Sequence, residues 1–437
     1  MSGHMGGDVA RNRRILTTES GMPKTRRASE LDRESRLLLH AMNGAFPLVG
    51  RAINRERVSS FRYAWAALAS TFGRRIPLAG LEERQIRGPD GNAIPLRIYT
   101  PDGPPGLKPA FLWCHGGGFV VGDLNTSDGI CRAIARASGA IVISVRYRLA
   151  PEHDIYAGRE DFLAALNWVH KNAEALGIDG NRLGVGGDSA GGNISAAVAQ
   201  ENIRRGGPRL SLQALVYPAT NLAMDFDSKD ENSKGFLLTA NFMDSLRPLI
   251  ERGEDLTDPW LSPAHADSVA GLPPAVIITA GFDPIRDDGL LYAAQLRRAG
   301  VPVELLHYSG QFHGFFNFDA VLGAARDAQE RVGVALRDVF AGEPAPNRTI
   351  EIADNRPWFD ARLSKDLITG AMLAGRSVRQ WNSHVLRSLS PETAYAAANL
   401  LRPFWAPAAM ARRTISGYIN ALNAQQSYPP QAGTPSA

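Results

Sequence analysis

The stretch "GVGGDSAGGN", Gly184–Asn193, sets five glycines around one serine. Glycine weakens strands and helices alike, so this concentration needs a reason. The bare pentapeptide Gly187-Asp188-Ser189-Ala190-Gly191 would suit a flexible polar loop. Its flanks decide otherwise: "RLGVG" ahead of it reads as a strand, and "NISAAVAQENIRR" after it reads as a helix. A G-x-S-x-G serine between strand and helix sits on a strained turn, with small neighbours that let the two elements approach. Its oxygen then projects above the strand end, beside a helix N-terminus that favours developing negative charge.

Working outward, the strand before the serine is one of several short apolar runs: "AFLWC", "AIVISV", "LQALVY", "AVIITA" and "VELLHY". Continuous apolar runs suit strands buried on both faces. Their alternation with helical stretches predicts an α/β fold, a mostly parallel central sheet flanked by helices, over about residues 81–342. Ahead of it, "ERQIRG" and "PLRIYT" flank "PDGN", a hairpin turn. Residues 35–80 carry a helical pattern (Leu37, Leu38, Met42, Phe46, Val49, Ile53) and read as cap helices. The segment at about 221–272, between "LVYPAT" and "AVIITA", is much longer than a crossover needs and reads as a cap insertion.

The ends differ in texture. Residues 1–34 are polar and basic, lack the apolar core of a secretory signal, and are expected to be a disordered arm. After Gly342, "EPAPNRT" reads as a linker, 343–424 as a helical extension rich in alanine, tryptophan and arginine, and 425–437 as a disordered tail. Across 437 residues, 44% hydrophobic and 21% charged residues describe an ordinary globular protein, and a net charge of +4 gives no reason to expect nucleic acid. The two cysteines, Cys114 and Cys131, form neither a disulfide framework nor a metal-ligand pattern and favour a reducing compartment. No apolar run approaches the ~20 residues that span a bilayer. The expected location is cytoplasmic.

A serine hydroxyl needs a base, and the base needs an orienting group. On an α/β sheet of this kind the three follow in the order serine, acid, histidine. "ITAGFDPIRDDG" puts Asp283 just after one apolar strand, and "LLHYSGQFHGFFN" puts His313 in a loop after the next. Both fall at carboxyl ends of strands, where such sheets hold their sites. Asp287 and Asp288 are expected to cap or tie down the following helix, and His307, inside a strand pattern, to be structural. Upstream, "WCHGGGFVVGD" places His115-Gly116-Gly117-Gly118 after a strand. Its glycines can turn N–H groups toward an oxyanion, completed by the N–H of Ala190, and His115 is expected to brace the loop.

These pieces resemble the hormone-sensitive-lipase-like branch of the α/β-hydrolases, the bacterial carboxylesterases. The motifs are "HGGGF" (His115–Phe119), "YRLAPEH" (Tyr147–His153), "GDSAGGN" (Gly187–Asn193), "DPIRDD" (Asp283–Asp288) and "HGF" (His313–Phe315), in the family's order. The resemblance implies Ser189 as nucleophile, His313 as base and Asp283 as orienter, with oxyanion donors at Gly117, Gly118 and Ala190. It implies structural roles for Arg148 and Glu152, a helical cap over the acyl pocket, and, in many members, a dimer. Departing from the family, about 95 residues extend past the core, to clasp it, mediate assembly, or lie on a membrane or lipid surface.

The expected reaction is hydrolysis of small to medium acyl or aryl carboxylic esters through an acyl-enzyme, with no metal or cofactor. Phe119, Phe236, Leu237, Leu238, Phe242, Phe312 and Phe315 are read either as an apolar acyl pocket or as core. Three alternatives stay open: an amidase such as an arylformamidase with the same machinery, a lipase or depolymerase working at a lipid or polyester surface, and a non-catalytic ligand-binding protein on the same fold.

Overall fold

The computed structural model describes residues 13–18, 22–45, 52–234 and 236–354. Each apolar run becomes a strand of one ten-stranded sheet. In chain order the strands are β1 (Arg13–Thr18), β2 (Gly80–Arg87), β3 (Ala93–Thr100), β4 (Lys108–Cys114), β5 (Ile141–Val145), β6 (Ile178–Asp188), β7 (Leu210–Val216), β8 (Ala275–Phe282), β9 (Val303–Phe312) and β10 (Arg348–Asp354). Across the sheet they run β1-β10-β9-β8-β7-β6-β4-β5-β3-β2. The block from β10 to β5 is parallel, while β1, β3 and β2 pair antiparallel. Every residue of β5, β8 and β9 is buried, as their uninterrupted apolar runs predict. The β2–β3 hairpin turns through Asp90-Gly91, with Gly91 at φ 79°.

The helices are α1 (Arg33–Ala45), α2 (Val58–Phe72), α3 (Asp128–Ser138), α4 (Ala157–Lys171), α5 (Ala190–Arg204), α6 (Asp227–Glu231), α7 (Ala240–Ile250), α8 (Arg286–Arg298) and α9 (Gly323–Phe340). α3 packs against α9, where a Cβ on Gly333 would stand 2.3 Å from that of Ala137. α4 packs on α5, which with α8 holds the Pro263–His265 turn. Among the described residues, no helix is long and apolar enough to cross a membrane, and no group of three or more His, Cys, Asp or Glu side chains could hold a metal ion.

Two sequence expectations need correction. Within the arm expected to be disordered over 1–34, residues 13–18 pair with β10 as the outermost strand. Residues 22–34 include a segment that runs along β9: Ala28 N–H donates to Ser309 at 3.0 Å and Asp32 N–H to Gly310 at 2.8 Å. Backbone donors satisfied this way order a polar stretch that has no apolar signal of its own. The expected linker and helical extension also begin differently, because Arg348–Asp354 is a strand parallel to β9. In "TIEIAD" Ile350 and Ile352 are buried, and so is Glu351, whose carboxylate accepts the N–H groups of Lys24 and Thr25. The rest of the extension, with its suggested lipid contact, and the tail at 425–437 lie outside the described residues.

The cap insertion at 221–272 is two things. Its first half holds α6, bonded through Ser228 to Pro284 and Asp287 at the start of α8, and α7, which lies beside α2: Phe61 stacks on Phe242 at 5.3 Å, and Ile53 N–H donates to Ser245 at 2.9 Å. Its second half is tied to the core instead. The Leu261 carbonyl accepts from Asn193 at 2.8 Å, and the Trp260 carbonyl from the fully buried Arg159 at 2.5 Å.

Candidate active site

Ser189 leaves β6 at φ 56°, ψ −118°, and Ala190 opens α5. A non-glycine residue in such a conformation costs about 1–3 kcal/mol and persists only when its surroundings fix it. Here they do: Ser189 N–H donates to Val216 at 2.9 Å, and its carbonyl accepts from Asn193 and Ala219 at 3.0 and 3.3 Å. The glycine spacing serves close approach, since a Cβ on Gly191 would stand 2.0 Å from the Cys114 carbonyl oxygen.

The sheet brings the acid and the base to this turn. β8 ends at Phe282, and Asp283 follows, fully buried, its Oδ1 accepting the Ile285 N–H at 2.9 Å. β9 ends at Phe312, and His313 follows, 7% exposed. His313 Nδ1 lies 2.8 Å from Asp283 Oδ2, and Nε2 lies 2.9 Å from Ser189 Oγ. A carboxylate on Nδ1 selects the tautomer with its proton there, leaving Nε2 to accept from the hydroxyl. The Tyr217 ring packs 4.6 Å from the imidazole. Asn232, buried in the insertion, donates to the Asp283 carbonyl at 3.1 Å.

Facing the serine is the loop after β4. Gly117 and Gly118 take φ 126° and 59°, and Phe119 takes 62°. The Gly117 carbonyl accepts from Val120 and Val121, and no described carbonyl accepts from the N–H of Gly117 or Gly118. Ala190 N–H, in the first turn of α5, has no partner within the helix. His115 is buried, stacks on Tyr147 at 4.3 Å, and bonds the Gly116 carbonyl through Nδ1 at 3.0 Å. Burial lowers its pKa to about 4, so the ring is neutral and braces the loop. Asp188 fixes the loop from the other side, accepting Gly116 N–H at 2.9 Å, although burial pushes its carboxyl up.

A cavity of about 200 Å³ opens on Ser189 and His313. Of the residues predicted for a pocket, Phe119, Leu237, Leu238 and Phe242 line it, and three do not. Phe312, the last residue of β9, packs 6.0 Å from Phe318. Phe315 sits among Tyr308 and Tyr217 in the core, and Phe236 meets Phe282 edge-on at 5.2 Å. Sequence reading missed Phe61 and Trp65, one turn apart on α2, and Leu246 and Ile250, one turn apart on α7, all of which line the cavity. It also missed Arg62. Its guanidinium donates to the carbonyls of Val120 and Ala150 and pairs with Glu152 at 2.7 Å, tying α2 to the glycine loop. Arg148 pairs with Asp161 and Asp90.

His307 is structural, held between Thr279 and the Arg26 carbonyl, each at 2.8 Å. Asp287 pairs with Arg286, while Asp288 accepts the Asn221 N–H at 3.0 Å and borders the cavity.

A serine on a strand-to-helix turn above a mostly parallel sheet, with helices on both faces, defines an α/β hydrolase. Comparison with known proteins narrows the class. A family model described as "alpha/beta hydrolase fold" matches residues 111–317. Carboxylesterase NlhH of Mycobacterium tuberculosis (strain H37Rv) is 44% identical over 268 residues, covering 60% of this chain and 83% of that protein. Carboxylic ester hydrolase LipN of the same strain is 39% identical over 307 residues, covering 69% and 81%. The solved structure of a hyperthermophilic esterase from Pyrobaculum calidifontis superposes with a TM-score of 0.66 at 36% identity, covering 71% of this chain and 98% of that one. The chain belongs to the carboxylesterase branch of the α/β-hydrolase family, and it is a carboxylic ester hydrolase.

Proposed function

We propose that the protein hydrolyses small to medium acyl or aryl carboxylic esters through an acyl-enzyme on Ser189. His313 Nε2 takes the hydroxyl proton as Oγ attacks the carbonyl carbon. The N–H groups of Gly117, Gly118 and Ala190 hold the oxyanion. His313 then gives the proton to the departing alkoxide, and a water activated by the same imidazole releases the acid. Asp283 keeps the imidazole in its tautomer and stabilises the imidazolium formed in each half-reaction. The observation that carries this reading is the unbroken line Ser189 Oγ, His313 Nε2, His313 Nδ1, Asp283 Oδ2, with contacts of 2.9 and 2.8 Å.

The cavity supports the substrate class. Phe61, Trp65, Phe242, Leu246 and Ile250 offer apolar surface to an acyl or aryl group. Labelling by an organophosphate tests the assignment. Ser189→Ala is expected to abolish labelling and lower ester turnover by several orders of magnitude, to the ~10³–10⁴-fold over water that binding and oxyanion donors alone sustain. Near-normal turnover by that variant would sink it. Running p-nitrophenyl acyl esters beside N-formylkynurenine separates an esterase from an arylformamidase.

A further inference from the structure

The ladder between β8 and β9 breaks just before both strands deliver their site residues. Ala280 pairs with Tyr308 and Phe282 with Phe312, so β9 takes four steps where β8 takes two. The strands stay pressed together there, since a Cβ on Gly281 would stand 2.0 Å from the Ser309 carbonyl oxygen. An irregularity of this kind re-aims the side chains beyond it and releases backbone groups that need other partners. Asp283 and His313 are the residues beyond it. Regular strand pairing alone therefore does not set their 2.8 Å contact.

On the β8 side, α6 takes up the released groups. Asn232, at the end of α6 and fully buried, donates through Nδ2 to the carbonyls of Asp283 and Ser228, each at 3.1 Å, and reaches the Gly281 carbonyl at 3.4 Å. Three carbonyls around one end of the carboxamide fix its orientation, because only the NH2 group can donate to them. Ser228, also fully buried, donates its hydroxyl to the Pro284 carbonyl at 2.8 Å. Bonds inside the turn, from Ile285 N–H to Asp283 Oδ1 and from Arg286 N–H to the Asp283 carbonyl at 2.9 and 3.1 Å, shape it but move with it. Asn232 and Ser228 grip the same backbone from outside, and neither is among the residues lining the cavity. We infer that they are positioning residues for the reaction: through α6, the cap sets where Asp283 stands against His313. This rests on the Ser189, His313 and Asp283 assignment proposed above.

Steady-state hydrolysis of p-nitrophenyl butyrate tests it, with circular dichroism to establish folding. Asn232→Ala is expected to lower kcat by about tenfold to a hundredfold, since misplacing a group by about 1 Å can cost ~10² in rate. KM should stay within about twofold, because the cavity wall is unchanged; a cap that had merely loosened would raise it. The same substitution is then made beside Asp283→Asn, which by itself should lower kcat about 10⁴-fold by favouring the wrong tautomer. In that background Asn232→Ala should cost less than about twofold, because the group it positions is gone. A kcat loss below tenfold in folded Asn232→Ala, or a loss that persists in full beside Asp283→Asn, would overturn the inference. Should Asn232→Ala not fold, Ser228→Ala decides: a threefold or larger fall in kcat at unchanged KM supports the brace, and a smaller one overturns it. Failure of the underlying assignment shows separately, as near-normal turnover in Asp283→Asn itself.

Discussion

Gly117→Ala is the sharpest perturbation of the proposed oxyanion loop. A Cβ at this position would stand 2.2 Å from the Val121 carbonyl oxygen and 2.7 Å from its carbon. Ordinary contact begins near 3.4 Å, so relief needs a backbone movement of 3.4 minus 2.2, or about 1.2 Å. The obstacle is backbone, which cannot rotate aside, and φ 126° is itself a glycine conformation. Moving a donor by that much takes it out of the 2.7–3.1 Å range an oxyanion requires, a loss of ~2.7–4 kcal/mol, or 10²–10³ in kcat. Gly118 also has a positive φ, 59°, but a Cβ there meets only the flexible Leu246 Cδ1, at 2.5 Å, which can yield, so the loss in Gly118→Ala should be smaller. The assay is steady-state hydrolysis of p-nitrophenyl butyrate by both variants, with circular dichroism to establish folding. A folded Gly117→Ala protein with kcat within threefold of wild type would refute the reasoning, as would a reversed ranking of the two glycines.

Other outcomes follow from the same contacts. His313→Ala should lose activity on the scale of Ser189→Ala, whereas His307→Asn should keep most of its turnover, because His307 bonds Thr279 and Arg26 away from the serine; equal losses in the two would count against the assignment. Burial lowers the His307 pKa from 6.5 to about 4. The unfolded chain therefore binds a proton that the folded one refuses between those values, and stability falls as pH drops through that window by up to ~1.4 kcal/mol per unit. Urea midpoints at pH 7, 6 and 5 should fall less steeply in His307→Asn; parallel curves would show that His307 is not the titrating group. Arg62→Ala should release α2 from the glycine loop, lowering kcat more than tenfold while Ser189 still labels, and unaltered kcat would mean the loop holds its shape without it. Phe242→Ala empties part of the cavity wall beside Phe61 and should shift the preferred p-nitrophenyl ester toward longer acyl chains, read from a panel spanning acetyl to dodecanoyl.

Much of this architecture was legible in the residues. Buried parallel strands announce themselves as unbroken apolar runs, and the five glycines around Ser189 have no cheaper explanation than a crowded elbow. The placing of Asp283 and His313 side by side was legible because each follows such a run within five residues. The pocket wall was read poorly, since "GFFN" shows aromatics but not which way a tight turn points them; Phe315 and Phe316 face the core. Phe61, Trp65, Leu246 and Ile250 were within reach, because residues one turn apart share a helix face. β1 and β10 were out of reach. "RRILTT" and "RTIEIAD" are short, and their pairing joins residues separated by most of the chain, which no local pattern encodes.

That pairing has a consequence for biogenesis. β9 is buried along its whole length, yet its outer neighbour, β10, is among the last described segments to leave the ribosome, and β1, among the first, has no partner until then. Between the synthesis of β9 and that of β10 the nascent chain must therefore carry an open, apolar sheet margin, a template for pairing with other chains. Cutting the gene at residue 342, the boundary that composition suggests, would make that transient exposure permanent.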